Sequence, residues 1–168
     1  MKPEKFKLDI EYDFEFMLFA ISSHEPDYKL CYKLNQSLNI DLHKEEPLEL
    51  KNKNQADNLL FSFFIYVNEE EQLEYNLLSN KSYNTVQSSK PVSTSQADLF
   101  GDTEPEASGQ KGFLINELST IDYLLIVRVP YDPEFAYGLE STIKQVDTIL
   151  NVKYVDVNEL ASKNNLIF

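Results

Sequence analysis

Residues 121–130 read Ile121-Asp122-Tyr123-Leu124-Leu125-Ile126-Val127-Arg128-Val129-Pro130. Ile121–Val129 is an apolar run with β-branched residues, and it stops at a proline. That pattern predicts a strand. Asp132 and Pro133 follow. An aspartate is a good helix cap, and proline suits the first helical turn because its missing N–H has no acceptor there anyway. Leu139, Ile143, Val146 and Leu150 then recur at helical spacing, which predicts a helix with one apolar face. Val152–Val157 predicts a last strand, and Asn158–Lys163 a short helical turn. Strand, helix, strand is a crossover, so this end of the chain lays a helix over a sheet.

Upstream, the signals are mostly those of strands. Phe6, Leu8, Ile10 and Tyr12 alternate with Lys7, Asp9 and Glu11, a period of two that predicts a half-buried strand. Phe16–Ile21 is a second apolar run. Ser22-Ser23-His24-Glu25-Pro26 breaks it, and Leu30, Cys31, Leu34 and Leu38 then predict a helix. Asn39–Pro47 reads as a connection, Leu48–Lys51 as a brief strand. Leu59–Val67 is rich in aromatic and β-branched residues, and Leu73–Ser79 returns as its hairpin partner across a charged turn at 68–72. These elements predict an α+β fold: a mainly antiparallel sheet with two main helices on one face. A ferredoxin-like order is one layout that meets this description.

The stretch 83–112 differs in kind. It holds three of the four glycines, Gly101, Gly109 and Gly112, among many Ser, Thr, Gln, Pro and Glu. Such a composition buries too little apolar surface to offset the entropy of ordering, so it predicts a disordered insert. The folded core is then 1–82 together with 113–168, one domain interrupted once.

Charge narrows the function. The chain of 168 residues carries 15 Lys+Arg against 28 Asp+Glu, a net charge of −13. The insert accounts for only −2 of this, with Lys90 and Lys111 against Asp98, Asp102, Glu104 and Glu106, so the core keeps −11. An acidic surface does not neutralise phosphates, which argues against direct nucleic-acid binding and against docking on anionic lipid. Arg128 is the only arginine, so a two-pronged guanidinium grip on an anion is not expected. The N-terminus shows no secretory pattern, no run approaches the roughly 20 apolar residues of a membrane span, and a lone cysteine forms no internal disulfide. A cytoplasmic protein is the expectation.

Residues Ile115-Asn116-Glu117-Leu118-Ser119-Thr120-Ile121-Asp122-Tyr123 resemble the signature of the IPExxxVDY family, small bacterial proteins without an assigned activity. Leu8–Phe16, the helix around Lys29–Asn35, Leu77–Ser82 and Asn165–Phe168 look similar too. Asn116 stands where the family has proline, and Ile121 where it has valine. The resemblance implies a shared fold and no reaction. Read physically, a short helical turn leading into the 121–129 strand fits these residues, with Glu117 and Asp122 capping backbone donors at the junction.

Chemistry-bearing groups are sparse. His24 and His43 lie in polar connections without a metal-ligand spacing such as HxH or HxxxH, and no metal or cofactor is expected. Cys31 falls on an apolar helix face, where cysteine is usually inert. No nucleophile elbow, phosphate loop or dinucleotide fingerprint occurs. Asp9, Glu11, Asp13 and Glu15 form a row with period two. On a strand they share one face at about 6.6–6.8 Å per step, too wide for one small cation. That row reads as a solvated face, or as a docking surface for a basic partner.

One short sequence is specific. Gln96-Ala97-Asp98-Leu99-Phe100 looks like the peptide by which bacterial replication and repair proteins dock on the DNA sliding clamp. Leu99 and Phe100 are the only adjacent large apolar pair in the insert. The resemblance implies that they fill a hydrophobic pocket while Gln96 bonds at its rim. Three readings follow: a non-enzymatic binding or adaptor module, a sliding-clamp partner acting through 96–100, and a small enzyme using Glu117 and Asp122 with His24.

Overall fold

A computed structural model describes residues 14–51, 58–83, 112–130 and 132–168. The expected strand at 6–12, the acidic residues Asp9, Glu11 and Asp13, and the peptide Gln96, Ala97, Asp98, Leu99, Phe100 lie outside the described residues. So does all of the insert except its ends, Tyr83 and Gly112.

In chain order the elements are β1 (Met17–Ser22), α1 (Asp27–Leu38), β2 (His43–Lys44), β3 (Leu48–Leu50), β4 (Leu59–Phe61), β5 (Phe63–Asn68), β6 (Leu73–Ser79), β7 (Tyr123–Arg128), α2 (Pro133–Lys144) and β8 (Asn151–Val155). Six strands form one sheet in the order β2-β5-β6-β7-β1-β8, and β3 pairs with β4 apart from it. Every pairing is antiparallel. Because β1 and β6 both oppose β7, they run parallel to each other, and β7 and β8 are likewise parallel across β1. A helix spans each of these parallel relations. The order β8-β1-β7-β6 with crossovers α1 and α2 is the split βαβ arrangement of ferredoxin-like folds, extended by β5 and β2 at one edge.

Alternation of side chains gives the sheet two buried faces. Met17, Phe19, Ile21, Tyr75, Leu77, Leu125 and Val127 point to one face, where Leu30, Cys31 and Leu34 of α1 meet Leu139 and Ile143 of α2. Leu18, Leu78, Leu124 and Ile126 point to the other, where none of the described α-helices covers them. There the cover is the β3–β4 pair through Phe61, the segment after the insert through Leu114 and Ile115, and the C-terminal turns through Val157, Leu160 and Leu166. Both faces of β1 and β7 are therefore buried, which is why their sequences are apolar without alternation.

The helix signals act as expected. Asp132 accepts a hydrogen bond from the N–H of Glu134 at 2.9 Å, with Pro133 as the first helical residue. α1 starts after Pro26 and is capped by Asn39, whose N–H bonds the carbonyl of Asn35; the left-handed backbone of Asn39 (φ 54°) turns the next N–H, that of Ile40, onto the same carbonyl at 3.2 Å.

Four expectations are corrected. The run Leu59–Val67 is two strands, not one, because Ser62 breaks it. The Ser62 N–H bonds Ser79 Oγ at 2.9 Å and its carbonyl accepts from the Ser79 N–H, so β5 stays with β6 while β4 leaves to pair with β3. The second helix stops at Lys144, so Leu150 is not on its apolar face. Leu150 is 63% exposed, and Ile149 enters the core in its place. The strand expected from Ile121 begins at Tyr123, preceded by a 3-10 turn at Asn116–Leu118. The turn expected at 158–163 is two 3-10 turns, Val157–Glu159 and Lys163–Leu166. No described helix is long and apolar enough to cross a membrane.

Candidate functional site

The segment 112–122 is organised by one side chain that sequence reasoning passed over. Asn80 follows β6 and is fully buried. Its Oδ1 accepts the N–H of Ile115 at 2.8 Å, and its Nδ2 donates to the carbonyls of Leu118 at 2.7 Å and Ile121 at 3.2 Å. Its backbone N–H donates to the Asp122 carbonyl, and its own carbonyl accepts from Leu114. The loop thus wraps a polar hub in an apolar surrounding, where each backbone group left unpaired would cost about 1–3 kcal/mol. Asn116 opens the 3-10 turn, a position that proline and other residues both fit because a first-turn N–H lacks a helical acceptor.

The other signature residues each reach a distant segment. Glu117 is exposed, and its Oε1 accepts the N–H of Ser162 at 2.8 Å; hydrogen bonding, that of the Ser162 side chain first and backbone N–H groups after it, holds the carboxyl below the ordinary glutamate range. Asp122 Oδ2 accepts the N–H of Ser23 at 3.0 Å, while Oδ1 pairs with Lys81 Nζ at 2.5 Å. The Tyr123 hydroxyl donates to the Glu25 carbonyl at 2.6 Å. Burial first, and then the Asp27 and Asp122 carboxylates, push that phenol up to about 12. Ile115 is fully buried and Ile121 partly so.

An open cavity of about 600 Å³ lies where β1 gives way to α1, with Ser23, His24, Lys81, Tyr83, Asp122 and Tyr123 on its walls. His24 and Asp122 share this cavity, but Glu117 is not on its walls and turns instead to Ser162. The proposed trio of Glu117, Asp122 and His24 is therefore not gathered, and Asp122 already holds an ion pair. His43 is apart, on the edge strand β2 beside Glu45. Cys31 faces the core, and its thiol donates to the Leu42 carbonyl. Burial, followed by the Asp27 and Asp41 carboxylates, pushes the thiol up to about 11, which keeps it protonated and unreactive near neutral pH. Among the described residues no group of three or more His, Cys, Asp or Glu side chains could hold a metal ion.

The insert leaves and returns at one place. The Ser82 N–H donates to the Gly112 carbonyl at 2.9 Å, and the Gly112 N–H donates to Ser82 Oγ at 2.8 Å. Next to them Lys81 and Phe113 form an antiparallel bridge. Gly112 lies so close to Leu59 that a side chain there would collide with it.

A larger cavity, about 980 Å³, lies at another end of the sheet. Arg128 sits on its wall with its guanidinium carbon 5.5 Å from the ring centres of both Phe16 and Phe168, and it pairs with Glu74. This is a stacked structural arginine rather than a free anion clamp. Glu15, the described member of the acidic row, is exposed on the same cavity's wall. Comparison with protein-family models, with curated proteins and with solved structures finds no match to the chain.

Proposed function

We propose that this protein is a non-enzymatic binding module of the cytoplasm, which carries its recognition element in the insert and engages a DNA sliding clamp through Gln96-Ala97-Asp98-Leu99-Phe100. The observation that carries the reading is the closed root of the insert. Ser82 and Gly112 bond each other, so the core is complete beneath residues 84–111. Twelve residues precede the pentapeptide and eleven follow it, which places it near the middle of the excursion. Each arm spans at most about 40 Å at roughly 3.3–3.6 Å per residue. A partner can be met well clear of the core, so the domain's acidity is no obstacle to DNA-associated work.

The signature shared with IPExxxVDY proteins fits the same reading. Glu117, Asp122 and Tyr123 are each bonded to backbone far away in the chain, and we take them as fold-specifying groups rather than a catalytic set.

The test is a titration of the full chain with a purified bacterial clamp, followed by fluorescence anisotropy. Burying a Leu or Phe side chain is worth about 1.5–3 kcal/mol. Leu99→Ala/Phe100→Ala therefore weakens binding by at least about 100-fold. Equal binding by both proteins, or binding by neither, refutes the clamp reading.

A further inference from the structure

The larger cavity has an apolar floor and an acidic rim. Phe14, Phe16 and Met17 form one wall, and Val67 and Leu73 of the β5–β6 turn form another. Val67 is 50% exposed. Glu15, Glu69 and Asp156 stand around the opening, while Glu74 is already paired with Arg128. The described chain begins on this rim, at Phe14.

What precedes Phe14 suits the cavity. Phe6, Leu8, Ile10 and Tyr12 alternate with polar residues, so an extended segment presents all four on one side. Lys2, Lys5 and Lys7 against Glu4 make the first eight residues basic. A cavity of 980 Å³ is about 10 Å across. From Phe6 to Tyr12 an extended segment covers about 20–22 Å at 3.3–3.6 Å per residue, so it crosses the cavity and runs on along its rim.

We propose that the occupant of this groove is the chain's own segment 5–12, laid across it with Phe6, Leu8, Ile10 and Tyr12 inward and with Lys5 and Lys7 toward the acidic rim. Lys5, Lys7, Asp9 and Glu11 share the opposite side; the long lysine side chains bend over its edge to the acidic rim, and Asp9 and Glu11 stay in solvent as an outward row. The groove is an intramolecular docking site for an extended apolar segment whose first half is basic.

Hydrogen exchange on the full chain tests this, comparing wild type with Leu8→Asp/Ile10→Asp and with Lys5→Glu/Lys7→Glu. Displacing the segment exposes the turn, so peptides covering 67–74 exchange about tenfold faster in the aspartate variant. In the charge-reversed variant they exchange a few-fold faster, a difference that high salt removes. An apolar fluorescent dye binds the aspartate variant and not the wild type. The second variant keeps the core's apolar groups, so a folding failure of the first does not shield the proposal. If exchange at 67–74 is the same in all three proteins, or if the dye binds wild type as well as it binds the variant, the groove is open in the free protein and the proposal is wrong.

Discussion

Replacing Asn80 by alanine should be among the most damaging single changes in this domain. The side chain is fully buried and satisfies three backbone groups of the following loop, the Ile115 N–H and the carbonyls of Leu118 and Ile121. Alanine removes this partner from all three, although the Leu118 carbonyl keeps the bond it accepts from the Ile121 N–H. The Ile115 N–H is buried beside Leu114 and Leu124 and cannot turn to water, at a cost of about 1–3 kcal/mol. The carbonyls lie nearer solvent and recover part of their loss, so the sum is about 3–5 kcal/mol. That is a large share of the roughly 5–15 kcal/mol that holds a domain folded. In urea, with a slope of about 2 kcal/mol/M, the midpoint should fall by about 2 M. Asn80→Asp sharpens the test. It keeps an acceptor for the Ile115 N–H but sets a second oxygen against two carbonyls. Burial disfavours the charged carboxyl and raises its pKa above the unfolded value. This variant must therefore regain stability as pH falls through that raised value, because the protonated group can donate again. A midpoint shift below about 0.5 M for Asn80→Ala, or no acid rescue of Asn80→Asp, would show that the loop does not depend on this hub.

Two further outcomes follow from the geometry. Excising 84–111 and joining the Ser82 and Gly112 sides by a turn of about four residues shortens a loop of about thirty, which saves about 1.5–2 kcal/mol of closure entropy. Thermal melting should rise by several degrees, and a fall would mean that the insert contributes to the core. Glu117→Gln should be less stable than wild type at neutral pH. The wild-type carboxyl is held below the ordinary glutamate range by hydrogen bonds, that of the Ser162 side chain first, so its contribution is complete above that range and disappears as pH falls through the lowered value. Urea midpoints of the two proteins should converge on acidification, whereas a gap constant from neutral pH to pH 3 would rule out the charged acceptor.

The fold was legible where local chemistry and burial agree. Asp132-Pro133 marked the start of α2, and the apolar runs around Phe19 and Leu125 marked the two central strands. Reading failed where tertiary contacts choose between equivalent local signals. Leu150 and Ile149 are equally apolar, and only the stop at Lys144 decides which turns inward. Ser62 is a single polar residue inside the apolar run Leu59–Val67, yet its exchange of bonds with Ser79 divides the chain between two sheets. The signature residues could be located, but their partners Ser23, Glu25 and Ser162 lie in segments no periodicity links to them. Asn80 had one faint signal, an asparagine closing an apolar run where the chain should already be turning outward.

These features converge on the β6–β7 connection. In a split βαβ sheet β6 and β7 are neighbours, and an antiparallel pair needs only a few residues to join it. The register runs from Glu74↔Arg128 to Ser79↔Tyr123 and continues in the bond from Asn80 to Asp122, so the ladder is finished there. Everything between Asn80 and Asp122 is length the sheet does not require. Residues 113–121 use it to roof the face that α1 and α2 leave uncovered, through Leu114 and Ile115, and Asn80 holds that roof by its backbone. Lys81 and Ser82 then pair with Phe113 and Gly112 and close the remainder off. Residues 84–111 lie in sequence between these two bonded positions, Ser82 and Gly112. Because the ladder and the roof are both completed by residues on either side of them, the length of the connection beyond Ser82 and Gly112 is not dictated by the sheet.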